Sequence, residues 1–131
     1  MKGFIEDIEE LTEHNADFRR VLYTGKNLQL VLMSLAPGEE IGEEVHTDRD
    51  QFFRVEKGKG AVVVDGRRTK IESDMAIIVP AGARHNIINT DHKPLRLYTL
   101  YAPPEHRDGF VAATKADAMA SHEHFDGKTS E

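Results

Sequence analysis

A chain of 131 residues with a net charge of −6 and no cysteine is expected to form one domain. The lack of cysteine excludes disulfide bonds, thiolate metal sites and cysteine nucleophiles, so any metal must be held by nitrogen or oxygen donors. The negative charge argues against nucleic acid as a partner, and no run approaches the roughly 18 apolar residues of a membrane span. The first residues, MKGFIEDIEE, lack the apolar core of a signal peptide, which favours a cytoplasmic location.

The predicted elements begin after a polar N-terminal arm, residues 1–20, which has room for one or two turns of helix. Short apolar or alternating runs then follow at regular spacing: RVLYT (20–24), NLQLVLMSLAPGE (27–39), QFFRVEKG (51–58), KGAVVVDG (59–66), DMAIIVPAG (74–82), HNIINT (85–90) and LRLYTLYAP (95–103). Pro-Gly and Asp-Gly pairs between them are turn signals, and Asp65-Gly66 predicts a hairpin. About eight or nine short strands of this kind predict an all-β sandwich or barrel, residues 21–103.

The C-terminal extension, residues 104–131, has a different texture. The segment TKADAMASHEHF (114–125) contains helix-forming residues, and the final DGKTSE is expected to be frayed. His122 and His124 form the only literal His-x-His in the chain. They lie in this polar tail without neighbouring glycine, proline or strand signals, so a solvated tail is favoured over a ligand pair.

The stretch GEEIGEEVHTDRDQFF (38–53) contains a candidate for one wall of a metal site. Side chains alternate along a strand, so an extended chain would point Glu44 and His46 the same way. On the next strand Gln51, Phe53 and Val55 share a face that resembles a barrel interior. A carboxylate, an imidazole and an amide could then converge. Taken alone, however, this stretch favours an acidic loop exposed to solvent.

A second stretch, DMAIIVPAGARHNIIN (74–89), places a histidine directly after a Pro-Gly turn. His85, Ile87 and Asn89 would share one face of the following strand. From that position His85 could lie across the barrel from His46. A lone histidine at such a position is more often a hydrogen-bonded core residue.

Together the two stretches resemble the two motifs of the cupin family, G-x5-H-x-H-x4-E-x6-G and G-x5-P-x-G-x2-H-x3-N. The corresponding residues here, at the same spacings, are Gly38, Glu44, His46, Gln51 and Gly58 for the first motif, and Asp74, Pro80, Gly82, His85 and Asn89 for the second. The resemblance covers roughly residues 28–102. It implies the double-stranded β-helix, or jelly roll, of small single-domain cupins, in which an antiparallel barrel encloses the site.

The resemblance also implies a metal site, with departures from the family pattern. Three histidines and one glutamate bind a divalent metal in typical cupins, and the same positions here hold Glu44, His46, Gln51 and His85. The carboxylate has changed position, and all four side chains can still be ligands. Two imidazoles with oxygen donors accept a divalent transition metal such as Zn, Mn, Fe, Ni or Cu without a sharp preference.

Catalytic residues are less clearly indicated than ligands. Tyr101, Glu105 and His106 are the only candidates for a general acid or base. His106 could fold over the barrel mouth and contact a ligand, but a surface position is favoured. Arg54 and Arg84 are expected to face outward, and an arginine facing inward would indicate an anionic substrate.

Two functions remain open. One is a metal-dependent enzyme acting on a small polar molecule, for which the family offers isomerases, dioxygenases, decarboxylases and lyases. The other is a non-catalytic module that binds a small molecule or a metal. Chains of this appearance are often labelled mannose-6-phosphate isomerase-like, a label that rests on fold analogy. Phe52 is expected to point out of the barrel, where either the N-terminal segment or a second subunit could cover it. Small cupins commonly dimerise through such surfaces, so the resemblance implies a homodimer.

Overall fold

Ten strands and two short helices make up the fold in the computed structural model, which describes all 131 residues. The elements, in chain order, are α1 (Ile8–His14), β1 (Arg19–Thr24), β2 (Gln29–Leu35), β3 (Glu44–Val45), β4 (Asp50–Lys57), β5 (Lys59–Val64), β6 (Arg67–Glu72), β7 (Ala76–Val79), β8 (Arg84–Asn89), β9 (Leu95–Ala102), β10 (Val111–Ala112) and α2 (Lys115–Ala120). None of the helices is long and apolar enough to cross a membrane.

The strands form two antiparallel sheets. One has six strands in the order β10-β1-β2-β9-β4-β7, and the other has four in the order β3-β8-β5-β6. A core of 18 buried apolar residues lies between them. The predicted all-β jelly roll is therefore confirmed, and its two sheets are not closed into a barrel. The sheets remain separate because no hydrogen-bonded strand pair joins the edges of one to the edges of the other.

Alternation along β4 fixes which residues enter the interior. Gln51, Phe53 and Val55 are at most 3% exposed, whereas Phe52 and Arg54 on the other face are partly exposed. This is the pattern expected of a strand with one buried face. The hairpin between β5 and β6 also follows the prediction, since Asp65 and Gly66 both have positive φ, 46° and 82°.

The outer face of the six-stranded sheet carries an apolar row that crosses four strands. Strand register aligns Leu30 with Leu100, Leu100 with Phe52, and Phe52 with Ile78. Helix α1 packs against another part of this face, over β4 and β9. Ile78, on the edge strand β7, is 72% exposed. The apolar row therefore ends in a large exposed side chain.

The two ends of the chain are fastened to the sheets. Helix α1 is capped by Asp7, and β10 extends the six-stranded sheet by pairing with β1. The expectation of a frayed C-terminus is wrong. The backbone N–H of Ser130 donates to the carbonyl of Thr24, and the Glu131 carboxylate accepts from the Tyr23 hydroxyl at 2.6 Å.

Candidate metal centre

The four predicted ligands come from both sheets. Glu44 lies on β3 and His85 on β8, where the two residues are paired in register, and His46 follows directly after β3. Gln51 comes from β4 in the six-stranded sheet. The jelly-roll topology therefore brings together side chains that are up to 41 positions apart in the sequence.

These side chains meet as the sequence predicts. Donor atoms of Glu44, His46 and His85 all lie within 4.8 Å of one another. His46 Nε2 is 2.9 Å from a carboxylate oxygen of Glu44, and the two imidazole rings are 5.4 Å apart between centroids. Gln51 Oε1 lies 3.2 Å from His85 Nε2. A carboxylate, two imidazoles and an amide oxygen are a chemically sound donor set for a divalent transition metal.

The hydrogen-bond partners of His85 leave one ring nitrogen at the cluster. His85 Nδ1 lies 3.1 Å from the Ala83 carbonyl, and Nε2 lies 3.2 Å from Gln51 Oε1. Gln51 Nε2 donates to Thr99 Oγ1 at 2.9 Å. In the neutral tautomer with the proton on Nδ1, the ring donates to Ala83 and the Nε2 lone pair can bind a metal. In the tautomer with the proton on Nε2, the ring donates to Gln51 instead.

The electrostatics of the cluster favour the charged forms of its acid and base. Burial raises the pKa of Glu44, but the hydrogen bond and charge of His46 outweigh burial, so the pKa is lowered overall. The pKa of His46 is raised, chiefly by its hydrogen bond to Glu44, and burial opposes this. The carboxylate stays ionised, and a metal ion must displace the proton that His46 shares with it.

A second carboxylate lies on the other side of His46. Glu105 Oε2 is 3.5 Å from His46 Nδ1 and is also bound by the guanidinium of Arg49. Arg49 additionally donates to the Pro104 carbonyl at 2.8 Å. Glu105, one of the catalytic candidates, is thus positioned to orient His46, as carboxylates commonly do beside histidine ligands.

The other two catalytic candidates belong to a buried chain of hydrogen bonds. His106 Nδ1 donates to Glu123 at 2.6 Å, and its Nε2 accepts from the Tyr101 hydroxyl at 3.3 Å. The Tyr101 ring packs edge-on against His46, with centroids 5.9 Å apart. Burial raises the pKa of the Tyr101 hydroxyl far above its ordinary value. This Glu123–His106–Tyr101 chain reaches from the C-terminal extension to the cluster.

The prediction of a surface position for His106 is wrong, because the residue is only 8% exposed. It agrees with the prediction for His122 and His124, both of which are exposed. Glu123, the residue between these two histidines, is buried, and its side chain is only 8% exposed. Besides its hydrogen bond from His106, Glu123 accepts from the backbone N–H of Arg107 at 2.7 Å.

Three charged residues near the cluster were not predicted from the sequence. Glu123 and Arg49 act through partners distant in sequence, so no local signal marks them. Arg19 is 8% exposed and shares the interior face of β1 with Val21. For Arg19 a signal exists, because the alternation that places Val21 inside also places Arg19 inside.

Arg84 is exposed as predicted, and Arg54 lies on the outer face with Glu56.

Comparison with known proteins agrees with this geometry. Residues 31–101 match the Cupin domain family. The chain is 46% identical over 128 residues to the uncharacterized protein YrkC of Bacillus subtilis, covering 93% of this chain and 69% of that protein. It is 34% identical over 71 residues to the tetracenomycin polyketide synthase protein TcmJ of Streptomyces glaucescens, covering 54% of this chain and 48% of TcmJ.

Among solved structures, the protein BH2720 of Bacillus halodurans superposes with a TM-score of 0.89 at 47% identity, covering 92% of this chain and 96% of that one. The matched residues 31–101 contain three of the strands that bound the cluster, β3, β4 and β8, and all four predicted ligands. Fold, motif positions and sequence similarity thus agree, and the chain belongs to the cupin family.

Proposed function

We propose that this cupin domain binds a divalent transition metal through Glu44, His46, Gln51 and His85, and that it is a metal-dependent enzyme acting on a small polar metabolite. The observation that carries the proposal is the convergence of donor atoms: those of Glu44, His46 and His85 lie within 4.8 Å of one another, and Gln51 Oε1 lies 3.2 Å from His85 Nε2. A metal ion held by these side chains would have nitrogen and oxygen donors and the carboxylate that it needs for charge balance. Zn, Mn, Fe, Ni and Cu all suit these donors.

When bound, the metal would act as a Lewis acid that polarises an oxygen of the ligand. The protein's own residues have separate roles. Glu105 fixes the orientation of the His46 ring, and Arg49 holds Glu105 in place. The Glu123 carboxylate fixes the tautomer of His106, so that His106 Nε2 can take and return the Tyr101 hydroxyl proton. Tyr101, whose ring packs edge-on against His46, would then be the proton-transferring group of this chain beside the cluster.

A non-catalytic binding module is the second candidate, and one observation favours it. Tyr101 is only 2% exposed, and burial strongly opposes its ionisation. A hydroxyl of this kind can serve purely as a hydrogen-bonded part of the core. The enzyme is preferred because the chain Glu123–His106–Tyr101 ends at the cluster and because a relative, TcmJ, is named as a polyketide synthase protein. The isomerase, dioxygenase, decarboxylase and lyase chemistries stay predictions, as does the mannose-6-phosphate isomerase-like label.

The test is elemental analysis of purified protein together with single variants. His46→Ala and His85→Ala should each lower metal content sharply and retain the β-rich circular dichroism spectrum. His122→Ala and His124→Ala, which alter exposed histidines, are matched controls and should retain the metal. Full occupancy in both cluster variants would refute the site.

The enzyme and the binding module differ in the effect of Tyr101→Phe. Removal of the hydroxyl should leave metal and ligand binding nearly intact in both cases, and it should abolish turnover only in an enzyme.

We also propose that the protein is a homodimer and acts in the cytoplasm. The apolar row Leu30, Leu100, Phe52 and Ile78 supports the dimer, since a second copy could cover it.

A further inference from the structure

Two glutamine side chains lie in the interior of the protein, and their amides are held in different ways. They are the only glutamines of the chain, Gln29 and Gln51, and they are 0% and 3% exposed. The oxygen and the nitrogen of an amide have nearly the same shape, so hydrogen-bond partners decide which atom points in which direction. The partners of each side chain therefore show how firmly its amide is oriented.

The amide of Gln29 is oriented by backbone groups. Its Oε1 accepts from the N–H groups of Glu105 at 3.2 Å and His106 at 2.9 Å, and its Nε2 donates to the His106 carbonyl at 2.7 Å. Nε2 also donates to Thr24 Oγ1 at 2.9 Å. A backbone N–H only donates and a carbonyl only accepts, so a reversed amide would lose three hydrogen bonds. Gln29 would therefore keep its orientation without the Thr24 hydroxyl.

The amide of Gln51 has no backbone partner. Its Nε2 donates to Thr99 Oγ1 at 2.9 Å, and its Oε1 lies 3.2 Å from His85 Nε2. A hydroxyl can donate or accept, and an imidazole nitrogen does one or the other according to the tautomer. Thr99 is thus the only group that holds the nitrogen of this amide away from His85. Without the Thr99 hydroxyl, the amide of Gln51 would be free to turn.

Thr99 lies in apolar surroundings that offer its hydroxyl no other partner. The residue is fully buried on β9, and strand register places it between Val31 of β2 and Phe53 of β4, both of which are also buried. The hydrogen bond with Gln51 is the only one that its Oγ1 makes. Valine has nearly the same shape and would fill this position without burying a polar atom. The hydroxyl of Thr99 therefore has its role at Gln51.

We propose that Thr99 is a positioning residue of the metal centre, which keeps Gln51 Oε1 directed at the cluster by accepting a hydrogen bond from Gln51 Nε2. An amide binds a metal through its oxygen, because the nitrogen carries two protons and offers no free lone pair. A reversed amide would direct an N–H at His85 Nε2 and would take up the lone pair that a metal needs. The inference deepens the proposed function and rests on it for the presence of the metal.

This role exists because position 51 holds a glutamine. A glutamate has two equivalent oxygens, so it has no reversed orientation, and the Thr99 hydroxyl can donate to the oxygen that faces it. The contribution of Thr99 to metal binding should therefore depend on the residue at position 51. A hydroxyl that only stabilised the fold would contribute equally with either residue.

Calorimetric titration of Mn²⁺ into metal-free protein tests this dependence. Thr99→Val should lower the affinity for Mn²⁺ by about tenfold or more, because the amide of the bound state would have a buried N–H without an acceptor. In the Gln51→Glu background the same substitution should change the affinity by about twofold at most, as expected of independent sites. Thr99→Ser, which keeps the hydroxyl, should bind like wild type. Thr24→Val removes the hydroxyl beside the other buried amide and, as the matched control, should leave the affinity unchanged.

Nuclear magnetic resonance of the metal-free protein measures the orientation of the amide itself. Nuclear Overhauser effects from the side-chain N–H protons of Gln51 should be stronger to the Thr99 side chain than to the His85 ring. In Thr99→Val the His85 ring should give the stronger effects. The first measurement needs only wild type, so it decides the orientation even if Thr99→Val does not fold.

Two results would overturn the inference. One is a wild-type amide whose nitrogen faces His85. The other is an equal loss of Mn²⁺ affinity on Thr99→Val with glutamine and with glutamate at position 51, because Thr99 would then act on the fold alone. The two proposals also fail separately. A wild type that binds no Mn²⁺ refutes the metal centre, and resonance then still decides the orientation, whereas a metal-binding wild type with either overturning result refutes the role of Thr99 alone.

Discussion

Replacement of Gln51 by glutamate tests the ligand set most directly, because it adds one charge at nearly constant volume. Gln51 Oε1 is 3.2 Å from His85 Nε2, and the donor atoms of His85 and Glu44 are within 4.8 Å, so the two carboxylates would lie no more than about 8 Å apart. Two charges at that separation repel by about 2 kcal/mol at an effective dielectric constant of about 20. The metal-free variant should therefore bind an extra proton more readily than wild type.

A bound dication reverses this balance, because it attracts the new carboxylate at a far shorter distance. Above neutral pH, metal affinity should rise by about tenfold or more, equivalent to about 1.4 kcal/mol. The advantage should shrink in acid, where the extra proton competes. Calorimetric titration of Mn²⁺ into metal-free wild type and Gln51→Glu at two pH values measures both effects.

The control is Asn86→Asp, which adds a carboxylate on the opposite face of β8 and should change affinity much less. If Gln51→Glu binds Mn²⁺ no more tightly than wild type at about pH 8, Gln51 is not a ligand. Its amide then serves to hydrogen-bond Thr99 and His85.

Three further predictions concern the surroundings of the cluster. Glu123→Gln should destabilise the fold by about 1–3 kcal/mol near neutral pH, because His106 loses a charged acceptor. Burial raises the pKa of Glu123, but the hydrogen bonds from His106 and a backbone N–H lower it overall. Wild type should therefore lose its stability advantage as the pH falls through that lowered pKa. Denaturant titrations at several pH values measure this, and a stability difference between wild type and Glu123→Gln that stays constant with pH would contradict it. Ile78→Asp should convert the dimer to a monomer in light scattering, whereas Met119→Asp, at another exposed apolar residue, should not. A wild-type protein that is monomeric at micromolar concentration would contradict the dimer itself. Metal affinity should fall as the pH drops through the raised pKa of His46, because protons then compete with the metal for the ring. An affinity that is independent of pH would show that metal binding does not displace a proton from His46.

The parts of the fold that could be predicted from the sequence are those with a local signal. Alternation placed Gln51, Phe53 and Val55 inside, and the Asp65-Gly66 pair marked a hairpin. The meeting of His46 and His85 was implied by the resemblance to the cupin motifs, and the structure agrees with it. For the strand faces and the hairpin, the residues concerned follow a short-range rule about side-chain direction or turn conformation.

The remaining features depend on contacts between distant segments. The pairing of β10 with β1 and the hydrogen bond from His106 to Glu123 arise only when the chain returns to the sheet edge. The separation of the two sheets was also beyond local patterns, because an alternating strand fits a sandwich as well as a barrel. Arg19 is a different case. Its inward direction was readable from the alternation with Val21, although charged residues are usually exposed.

The two loops that carry the histidines are joined by their backbones, and this has a consequence for protein engineering. The N–H of Gly82 donates to the carbonyl of His46 at 2.8 Å, and the N–H of Ala81 donates to Asp50 at 2.8 Å. Gly82 has a φ of 90°, which other residues adopt only with strain. Transplanting the donor side chains onto a new scaffold would therefore require both loops as a unit, with the glycine, since either loop alone would lack the backbone partner that sets its histidine in place.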